Sequence, residues 1–313
     1  MNTLTIPVRF IGCDVGKAEI VVFDSGDGQT TRLPNAGEAL AAFAATLDET
    51  SLVICEATGG YEALLLDAIV TAGHTAHRAD ARKVKAFIRS FGTLGKSDAI
   101  DARALAQYGR ERHERLARWI PRERARDQLH LLVMTRRELV QQRVACNNRQ
   151  QAPGAAPVAE RLGRLLALLD AEIAGIEADI EALIKAHEPL ARTNAVLCAI
   201  KGIGRVTAMQ LIALMPELGT ITRRQAAALA GLAPHPRQSG NLDGYRRTRG
   251  GRPEIKQTLF MASMAAARHN PELRAFYQRL RSNGKKPLVA LTAVMRKIIT
   301  IANARVRQNL STI

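Results

Sequence analysis

Four acidic residues occupy positions at which carboxylates could support metal-dependent chemistry. Asp14 and Glu56 each follow a short apolar run of the kind found in β-strands, where a polar side chain is unexpected. Asp98 and Asp101 are three residues apart, and this spacing places two side chains on one face of a helix. Carboxylate oxygens are preferred ligands of Mg²⁺, and two such ions roughly 3.5–4 Å apart stabilise the attacking and leaving oxygens of a phosphodiester displacement. The four acids therefore predict a divalent-metal site that acts on phosphodiesters.

A structural interpretation is also open for the helical pair. Ser97 followed by Asp98 and Asp101 at a helix start is what N-capping and the helix dipole favour. Asp14 and Glu56 are harder to explain in this way, because an acid beside a sheet core needs a compensating partner. Spacing alone leaves both interpretations open for the pair on the helix.

Ser239 is a second candidate for chemistry. It precedes Gly240 in the segment 231–252, which is rich in glycine and arginine and lacks hydrophobic periodicity. A hydroxyl surrounded by cations could attack a phosphodiester while the cations stabilise the developing charge. A serine that only hydrogen-bonds a backbone phosphate is the commoner case. The segment is predicted to be a long basic loop with a functional role.

The charge balance favours a polyanionic partner. Among 313 residues, Lys and Arg total 45 against 29 acids, a formal net charge of +16. Each phosphate that such a chain neutralises releases counterions, although an acidic membrane surface would also attract it. Aromatic residues are only 4% of the chain, so base stacking is excluded as the main mode of binding. The residues expected to contact nucleic acid are Lys201, Arg205, Arg237, Arg246, Arg247, Arg249 and Arg252.

Membrane and extracellular classes are not favoured. No apolar stretch is expected to approach the roughly 20 residues that span a bilayer, and the first residues do not resemble a signal peptide. The four cysteines are widely scattered, without the spacing of a zinc site or a compact disulfide framework. The sequence therefore predicts a cytoplasmic protein that has no membrane partner.

The elements that must position the four acids form an α/β pattern. Strands come first and then alternate with helices, which predicts a mixed sheet. The predicted strands cover 7–14, 19–24, 29–33, 52–55 and 74–77. The predicted helices cover 36–48, 60–72 and 80–90, followed by the helix that carries Asp98 and Asp101.

The remainder of the chain is predicted to be mainly helical. Apolar residues recur at spacings of three and four on both sides of a Pro/Gly break at 153–157, which indicates an antiparallel coiled-coil arm. Residues 197–208 are similar to a helix-hairpin-helix turn, with glycines at 202 and 204. Helices are predicted at 253–269, 271–282 and 287–307. The expected domains are an N-terminal catalytic domain, the arm and a C-terminal domain, at 1–118, 119–190 and 191–313.

These segments, in this order, resemble the DEDD insertion-sequence transposases, also described as bridge-RNA-guided recombinases. The N-terminal part resembles the RuvC-like domain of that family through GCDVGK at 12–17, EATGGY at 56–61 and KSDAIDA at 96–102. The C-terminal part resembles the family's transposase domain through IKGIG at 200–204, GLAP at 231–234 and QSG at 238–240. One departure is Lys201, where the family more often has proline before Gly-x-Gly. The resemblance covers nearly the whole chain.

The resemblance implies specific roles and partners. It implies an RNase H-like fold for the N-terminal domain, a metal-binding tetrad of Asp14, Glu56, Asp98 and Asp101, and Mg²⁺ as the cofactor. It implies that Ser239 is the nucleophile and forms a phosphoserine link to DNA. The implied partners are double-stranded donor and target DNA, a noncoding guide RNA and further copies of the chain. In the resulting dimer or tetramer, the tetrad and the serine of one active site come from different protomers. The implied location is the nucleoid of a prokaryotic cell.

Two other functions remain open from the residues. A metal-dependent nuclease of the Holliday-junction type would use water as the nucleophile, and Ser239 would only bind phosphate. A covalent protein–DNA adduct that disappears in Ser239→Ala separates this nuclease from the recombinase. A non-enzymatic basic scaffold for nucleic acid would have purely structural acids. It requires that Asp14→Ala and Asp101→Ala leave strand cleavage intact.

Overall fold

The chain forms two compact units, Met1–Arg122 and Glu123–Ile313, here called the N-terminal and C-terminal units. The computed structural model describes residues 6–92, 97–121, 123–239 and 242–311. The predicted division into three domains is finer than these two units, and its boundaries stay a prediction.

The N-terminal unit is built on a five-stranded mixed sheet. Its strands are β1 (Arg9–Val15), β2 (Glu19–Asp24), β3 (Thr30–Pro34), β4 (Ser51–Glu56) and β5 (Thr75–Ala79). Their order across the sheet is β3-β2-β1-β4-β5. The β1–β2 and β2–β3 pairs are antiparallel, whereas β1–β4 and β4–β5 are parallel. The mixed α/β class predicted from the sequence is confirmed, and the arrangement fits an RNase H-like domain.

Helices cover both faces of this sheet. They are α1 (Gly37–Ala44), α2 (Ala63–Thr71), α3 (Ala81–Ser90) and α4 (Asp98–Arg112). Leu40 of α1 and Leu66 of α2 lie in one core with Ile11 of β1. Phe87 of α3 and Leu105 of α4 lie in a second core with Phe10, the residue before Ile11. Because strand side chains alternate between faces, every second residue of β1 faces α3 and α4.

The C-terminal unit is mainly helical, as the sequence predicted. Its helices are α5 (Arg124–Gln150), α6 (Ala159–Ala186), α7 (Glu188–Cys198), α8 (Arg205–Leu214), α9 (Arg223–Leu229), α10 (Pro253–His269), α11 (Pro271–Ser282) and α12 (Pro287–Leu310). A two-stranded sheet of β6 (Pro234–Ser239) and β7 (Leu242–Thr248) lies between α9 and α10 along the chain.

The helices α5 and α6 pair in opposite directions. Arg136 Nε donates to Glu177 Oε1 at 2.7 Å, and Arg143 Nη1 donates to Asp170 Oδ1 at 3.1 Å. The partners therefore run backward along α6 as the donors run forward along α5. Leu129, near the start of α5, belongs to the same core cluster as the C-terminal helices, so the base of this helical hairpin is continuous with their core.

The helix α12 is long and apolar enough to span a membrane, whereas the sequence analysis expected no such stretch. Within the described ranges it is the one helix that could cross a bilayer by length and composition, with 24 residues and a mean hydropathy of 1.3. However, Val294, Ile298 and Val306 of this helix are buried in the core of the C-terminal unit. A core helix of a globular unit explains the same composition.

The prediction of a long basic loop at 231–252 is wrong for most of that segment. An antiparallel ladder joins β6 and β7, from the pair of Pro234 with Thr248 to the pair of Ser239 with Leu242. The arginine- and glycine-rich strands lack the apolar alternation by which a half-buried strand is recognised. The signal that could have found them is the pair Gly240 and Asn241, because Gly-Asn between two strands is a hairpin turn sequence.

Candidate active site

Asp14 and Glu56 are neighbours at one edge of the sheet. The parallel register of β1 and β4 pairs Gly12 with Ile54 and Cys13 with Cys55. Asp14 and Glu56 are the next residues along these two strands. Because side chains alternate and the strands are in register, both carboxylates lie on the face that α3 and α4 cover.

The helix α4 packs on that face at a distance that only glycine permits. A Cβ at Gly12 would lie 1.9 Å from the carbonyl oxygen of Ala102 and 2.5 Å from the nitrogen of Ala106. A Cβ at Gly109 would lie 3.4 Å from the ring of Phe10. Residue numbers in α4 thus fall as those in β1 rise, so the helix runs antiparallel to the strand. The first turn of α4 consequently lies at the end of β1 that carries Asp14.

That first turn contains Asp98 and Asp101. Ser97 is the N-cap residue, and its Oγ accepts a hydrogen bond from the Ile100 nitrogen at 3.3 Å. The capping interpretation of this motif is therefore correct for Ser97. Asp98 and Asp101 are not the cap, and they lie in the first turn, where the helix dipole also favours acids. Asp101 is half-buried, whereas the Asp98 side chain is 60% exposed.

One small cavity brings the four predicted acids together. Its volume is about 230 Å³, and its lining includes Asp14, Glu56, Asp98, Asp101 and Lys85. We call it the acid cavity. It joins two strand ends, the N-terminal half of α4 and three residues of α3, which are far apart in the sequence.

The carboxylates share the acid cavity without forming a compact ligand cluster. Among the described residues, no group of three or more His, Cys, Asp or Glu side chains is arranged to hold a metal ion. Arg32 Nη2 of β3 lies 3.8 Å from Asp98 Oδ2, and the same guanidinium also pairs with Glu19. Asp98 thus has an arginine beside it among the described residues.

Cys13 and Cys55 lie on the other face of the strands that carry Asp14 and Glu56. Both thiols are buried in the core beneath α1 and α2. Burial raises the pKa of Cys55 to about 12 and raises the pKa of Cys13 well above its usual value. Both cysteines therefore stay protonated and act as small apolar core residues.

The loop after Glu56 is held by a buried acid, Glu62. Its Oε2 accepts hydrogen bonds from the Thr58 nitrogen at 3.1 Å, Thr58 Oγ1 at 2.9 Å and the Gly60 nitrogen at 2.9 Å. Its Oε1 lies 2.7 Å from Arg78 Nε of β5. Burial by itself raises the Glu62 pKa, but the hydrogen bonds and the Arg78 charge outweigh burial and hold that pKa below its usual value.

A second contact ties together the loops that follow the two strand-end acids. Asn35 Nδ2 donates to the carbonyl oxygens of Gly16 and Tyr61, each at 3.0 Å. Gly16 follows Asp14 by two residues, and Tyr61 lies in the loop after Glu56. Neither Glu62 nor Asn35 was predicted from the sequence as part of the site. The available signal was two consecutive glycines at 59 and 60, whose φ values of +80° and +113° mark a loop that needs support.

In the C-terminal unit, Ser239 is the last paired residue of β6 before the turn. Its side chain lies outside the described residues, and so do the side chains of Arg237 and Arg246. The base of the hairpin is closed by glycines in left-handed conformations. A Cβ at Gly251 would lie 2.2 Å from the Gly231 nitrogen, and a Cβ at Gly231 would lie 2.5 Å from the Gly250 carbonyl oxygen.

Two family profiles match the chain in these same regions. A profile described as "Transposase", for the DEDD type of IS110, matches residues 11–152, which contain all four acids. A profile described as "Transposase IS116/IS110/IS902 family" matches residues 194–278, which contain Ser239.

Individual relatives agree with these profiles. The pilin gene-inverting protein of Moraxella lacunata is 28% identical over 261 residues, which are 82% of this chain and 80% of that protein. The protein of the same name from Moraxella bovis has the same identity and coverage. A 43.6 kDa protein of the insertion element IS110 from Streptomyces coelicolor is 34% identical over 134 residues, 42% of this chain and 32% of that protein.

The chain belongs to the IS110 family of DEDD-type transposases. This IS110-family transposase is therefore a DNA-recombining enzyme, and DNA is its substrate. The family confirms the resemblance seen in the sequence motifs.

The described basic residues of the transposase fall into two groups. Lys201, Arg247 and Arg249 are exposed, and the structure describes no ion pair for them. Arg205 is exposed but pairs with Glu181 of α6. The charges of Lys201, Arg247 and Arg249 are therefore available for a polyanion. A nucleic-acid contact by these residues stays a prediction.

Arg252 has a different environment from the other predicted DNA-contacting arginines. It is half-buried, and its Nη1 donates to the Leu214 carbonyl oxygen at 2.6 Å and to Glu217 Oε2 at 2.8 Å. The hydrogen bond to Glu217 raises the Arg252 pKa despite burial. Arg252 directly follows Gly251, so this ion pair anchors the base of the hairpin that carries Ser239.

Gly202 and Gly204 have different surroundings and different roles. Gly202 has a φ of +109°, and a Cβ there would lie 2.5 Å from Ala266 Cβ of α10. Gly204, the N-cap of α8, faces open space. Gly202 is thus used for packing inside the unit, whereas Gly204 leaves the start of α8 accessible.

Proposed function

We propose that this transposase is a Mg²⁺-dependent, RNA-guided DNA recombinase that moves an insertion sequence through a serine-linked DNA intermediate. The observation that carries the proposal is the acid cavity, in which Asp14, Glu56, Asp98 and Asp101 share one space of about 230 Å³. Two of these acids come from adjacent strand ends and two from one helix turn. This convergence supports joint use of the four carboxylates.

The donor set fits a hard divalent cation. All four acids offer carboxylate oxygens, and no soft sulfur or imidazole ligand lines the described part of the cavity. Asp14, Glu56, Asp98 and Asp101 would hold Mg²⁺, which would stabilise negative charge on the phosphodiester oxygens as a Lewis acid. Without a cation these four anions repel a DNA strand, so strand binding at the cavity depends on their neutralisation.

In the proposed reaction Ser239 replaces water as the nucleophile. Its Oγ bonds to phosphorus, the bond from phosphorus to a deoxyribose oxygen breaks, and the hydroxyl proton ends on the leaving oxygen. One phosphodiester is exchanged for another, so a hydroxyl of a second DNA strand can reverse the reaction and rejoin the DNA. Arg247 and Arg249 lie on or next to the strand that pairs with β6, and they supply positive charge for the phosphate.

Strand exchange is favoured over simple hydrolysis by the relatives. Two of them, which match this chain over 80% of their own length, are named for inverting a pilin gene. An inversion requires every cut DNA end to be rejoined. The covalent serine link keeps each end attached to protein until it is rejoined. A water-based nuclease would release the ends.

The choice of DNA sequence lies in a noncoding guide RNA that pairs with donor and target DNA. A net charge of +16 suits a chain that holds RNA and DNA together. Aromatic residues are only 4% of the chain, which leaves base recognition to pairing between nucleic acids.

The oligomer supplies the complete active site in this proposal. Tetrad and serine come from different protomers of a dimer or tetramer, which works at the nucleoid in the cytoplasm. Residues 119–190, which include α5 and α6, act as a coiled-coil arm, and the turn between α7 and α8 acts as a helix-hairpin-helix element. The catalytic domain is 1–118, and the C-terminal transposase domain is 191–313.

Trapping of the covalent adduct tests the proposal. The transposase is incubated with its guide RNA, radiolabelled donor and target DNA and Mg²⁺, then denatured and separated by electrophoresis. Wild type gives a protein–DNA adduct that a protease removes. Ser239→Ala and Asp101→Asn give none, whereas Asp67→Asn, an exposed acid of α2, keeps the adduct.

Each alternative outcome has a clear meaning. Cleavage without adduct in Ser239→Ala means that water is the nucleophile and the serine proposal is wrong. Full cleavage in Asp101→Asn means that the acids are structural. Adduct formation without RNA, at any DNA sequence, contradicts RNA guidance.

A further inference from the structure

Lys85 is the described residue of positive charge that lines the acid cavity. It lies on α3, next to Val84, which is buried against the sheet, and two residues before buried Phe87. These two apolar anchors fix the face that α3 turns to the sheet, so Lys85 is held beside the strand ends. Its own side chain stays exposed to solvent.

The ammonium of Lys85 has no partner among the described residues. No ion pair within 4.0 Å involves it in those ranges, although four acids line the same cavity. Among the described residues, Arg32 is a second cation close to the tetrad, and it is shared between Asp98 and Glu19. A lysine ammonium carries three hydrogen-bond donors, so the Lys85 charge is available to a ligand that enters the cavity.

An anionic ligand is the chemistry that this position fits. The four carboxylates create a negative field that repels a phosphate unless cations compensate it. A lysine in the cavity wall reduces this repulsion where a DNA strand must approach. A fixed cation also stabilises charge that increases on a phosphoryl oxygen during displacement, which lowers the barrier.

We propose that Lys85 is a further catalytic residue, which binds a non-bridging phosphate oxygen of the DNA strand held at the acid cavity. This proposal rests on the proposed function, because it requires the cavity to be the site of strand cleavage. It goes beyond the tetrad and Ser239 by assigning a substrate contact to α3.

Three variants test this role, and two of them make the same charge change at different positions. Lys85→Gln removes the charge, Lys85→Arg keeps it, and Lys83→Gln makes the same change two residues earlier on α3, outside the cavity lining. At saturating Mg²⁺, Lys85→Gln should lower the single-turnover cleavage rate about 10- to 100-fold, the range expected for loss of a charged hydrogen bond. Lys85→Arg should recover part of the rate, and Lys83→Gln should match wild type.

DNA with one neutral phosphate identifies the contact itself. Methylphosphonate is placed singly at the scissile phosphate and at each neighbouring position. At the contacted position, wild type should fall to the rate of Lys85→Gln, and Lys85→Gln should lose little more. A merely structural role of Lys85 would not make the two losses overlap at one phosphate.

The outcomes separate this proposal from the proposed function. Wild-type cleavage by Lys85→Gln, with Asp101→Asn inactive in parallel, overturns the Lys85 contact alone. A raised half-saturating Mg²⁺ concentration with an unchanged maximal rate also overturns it, since Lys85 would then act on metal binding. Independent losses at every methylphosphonate position would show an indirect effect and overturn it as well.

Discussion

Glu62 stabilises the loop that follows Glu56, although it does not line the acid cavity. Its residue is only 2% exposed, and three hydrogen bonds and one ion pair satisfy its charge. A buried carboxylate is tolerated only when it is compensated in this way. Two of its donors, the nitrogens of Thr58 and Gly60, belong to the loop that follows Glu56. Glu62 therefore limits how far the end of β4 can move.

Replacement of this carboxylate should destabilise the N-terminal unit. Glu62→Gln should lower the free energy of unfolding at pH 7 by about 1–3 kcal/mol, because the amide keeps only one acceptor oxygen and its NH₂ group must face either the loop donors or Arg78. The ion pair adds little, since the Arg78 side chain is 38% exposed. Urea unfolding measures the difference, and Glu49→Gln, an exposed acid, should be neutral.

The difference between wild type and Glu62→Gln should depend on pH. The Glu62 pKa is lower in the folded chain than its usual value of about 4.3 in an unfolded one. Its contribution is therefore complete above about pH 4.3 and disappears as the pH falls through the lower folded-state pKa. A difference that stays constant down to pH 2 would contradict the assigned ionisation.

At the residue scale, an acid that interrupts an apolar pattern can be recognised from the sequence. Two distant residues that form an ion pair cannot be recognised in this way. Asp14 and Glu56 were found because an acid at the end of an apolar strand is unexpected. Glu62 was missed because its partner, Arg78, lies sixteen positions away on the strand β5. Arg252 looked like its basic neighbours until the structure placed it against Glu217.

At the scale of elements, the packing of α4 on β1 decides whether the four acids share a cavity. Gly12 is the contact point, since a Cβ there would overlap the backbone of Ala102 and Ala106. Backbone atoms of a helix cannot move aside individually, so the whole of α4 would shift. Such a shift carries Asp98 and Asp101 away from the strand ends.

Gly12→Ala should therefore abolish metal-dependent cleavage and lower the free energy of unfolding by about 1–3 kcal/mol through overpacking. Gly37→Ala is a matched control, because a Cβ at Gly37 meets no atom within 4 Å in the same unit. Cleavage assays and urea unfolding measure both effects. Full activity in Gly12→Ala would show that the α4–β1 distance does not set the site.

The hairpin of β6 and β7 depends on a second glycine contact. Gly251 has a φ of +72° and lies against Gly231, so an alanine there is both strained and in collision. Gly251→Ala should abolish the Ser239 adduct while leaving metal binding by the N-terminal unit unchanged. Gly284→Ala controls for strain alone, since its φ is +75° and its Cβ would meet no atom within 4 Å. An intact adduct in Gly251→Ala would show that the contact between Gly251 and Gly231 is not needed to position Ser239.

Elements of strong periodicity were predicted well, and the basic hairpin was not. The sheet strands predicted at 19–24 and 52–55 correspond to β2 and β4. Their apolar residues are buried, and burial is what periodicity reports. The ladder of β6 and β7 consists of backbone pairs between polar and basic residues, which composition does not reveal.

At the scale of the whole molecule, the proposed site is divided between subunits. The sequence predicted a mixed α/β unit followed by helices, because each class has its own period. It does not reveal how tetrad and serine meet, since the two regions belong to separate units of the chain. In the proposed function, an oligomer brings the tetrad of one chain to the serine of another.

Complementation between inactive chains tests this division. Asp101→Asn and Ser239→Ala should each be inactive alone, and a mixed oligomer of the two should cleave DNA. The mixture restores a wild-type tetrad from one chain and a wild-type serine from the other. A mixture of Asp101→Asn with Glu56→Gln should stay inactive, because both carry a defective tetrad. Inactivity of the first mixture, with oligomers confirmed by light scattering, would place tetrad and serine in the same subunit.

The most direct measurement of the central claim is the binding of a divalent cation at the acid cavity. Free Mn²⁺ is titrated by electron paramagnetic resonance in the presence of the transposase and a short DNA duplex. Asp14→Asn, Glu56→Gln, Asp98→Asn and Asp101→Asn should each lose protein-dependent Mn²⁺ binding, whereas Asp67→Asn should bind as wild type does. Unchanged Mn²⁺ binding in the four tetrad variants would contradict a shared metal site.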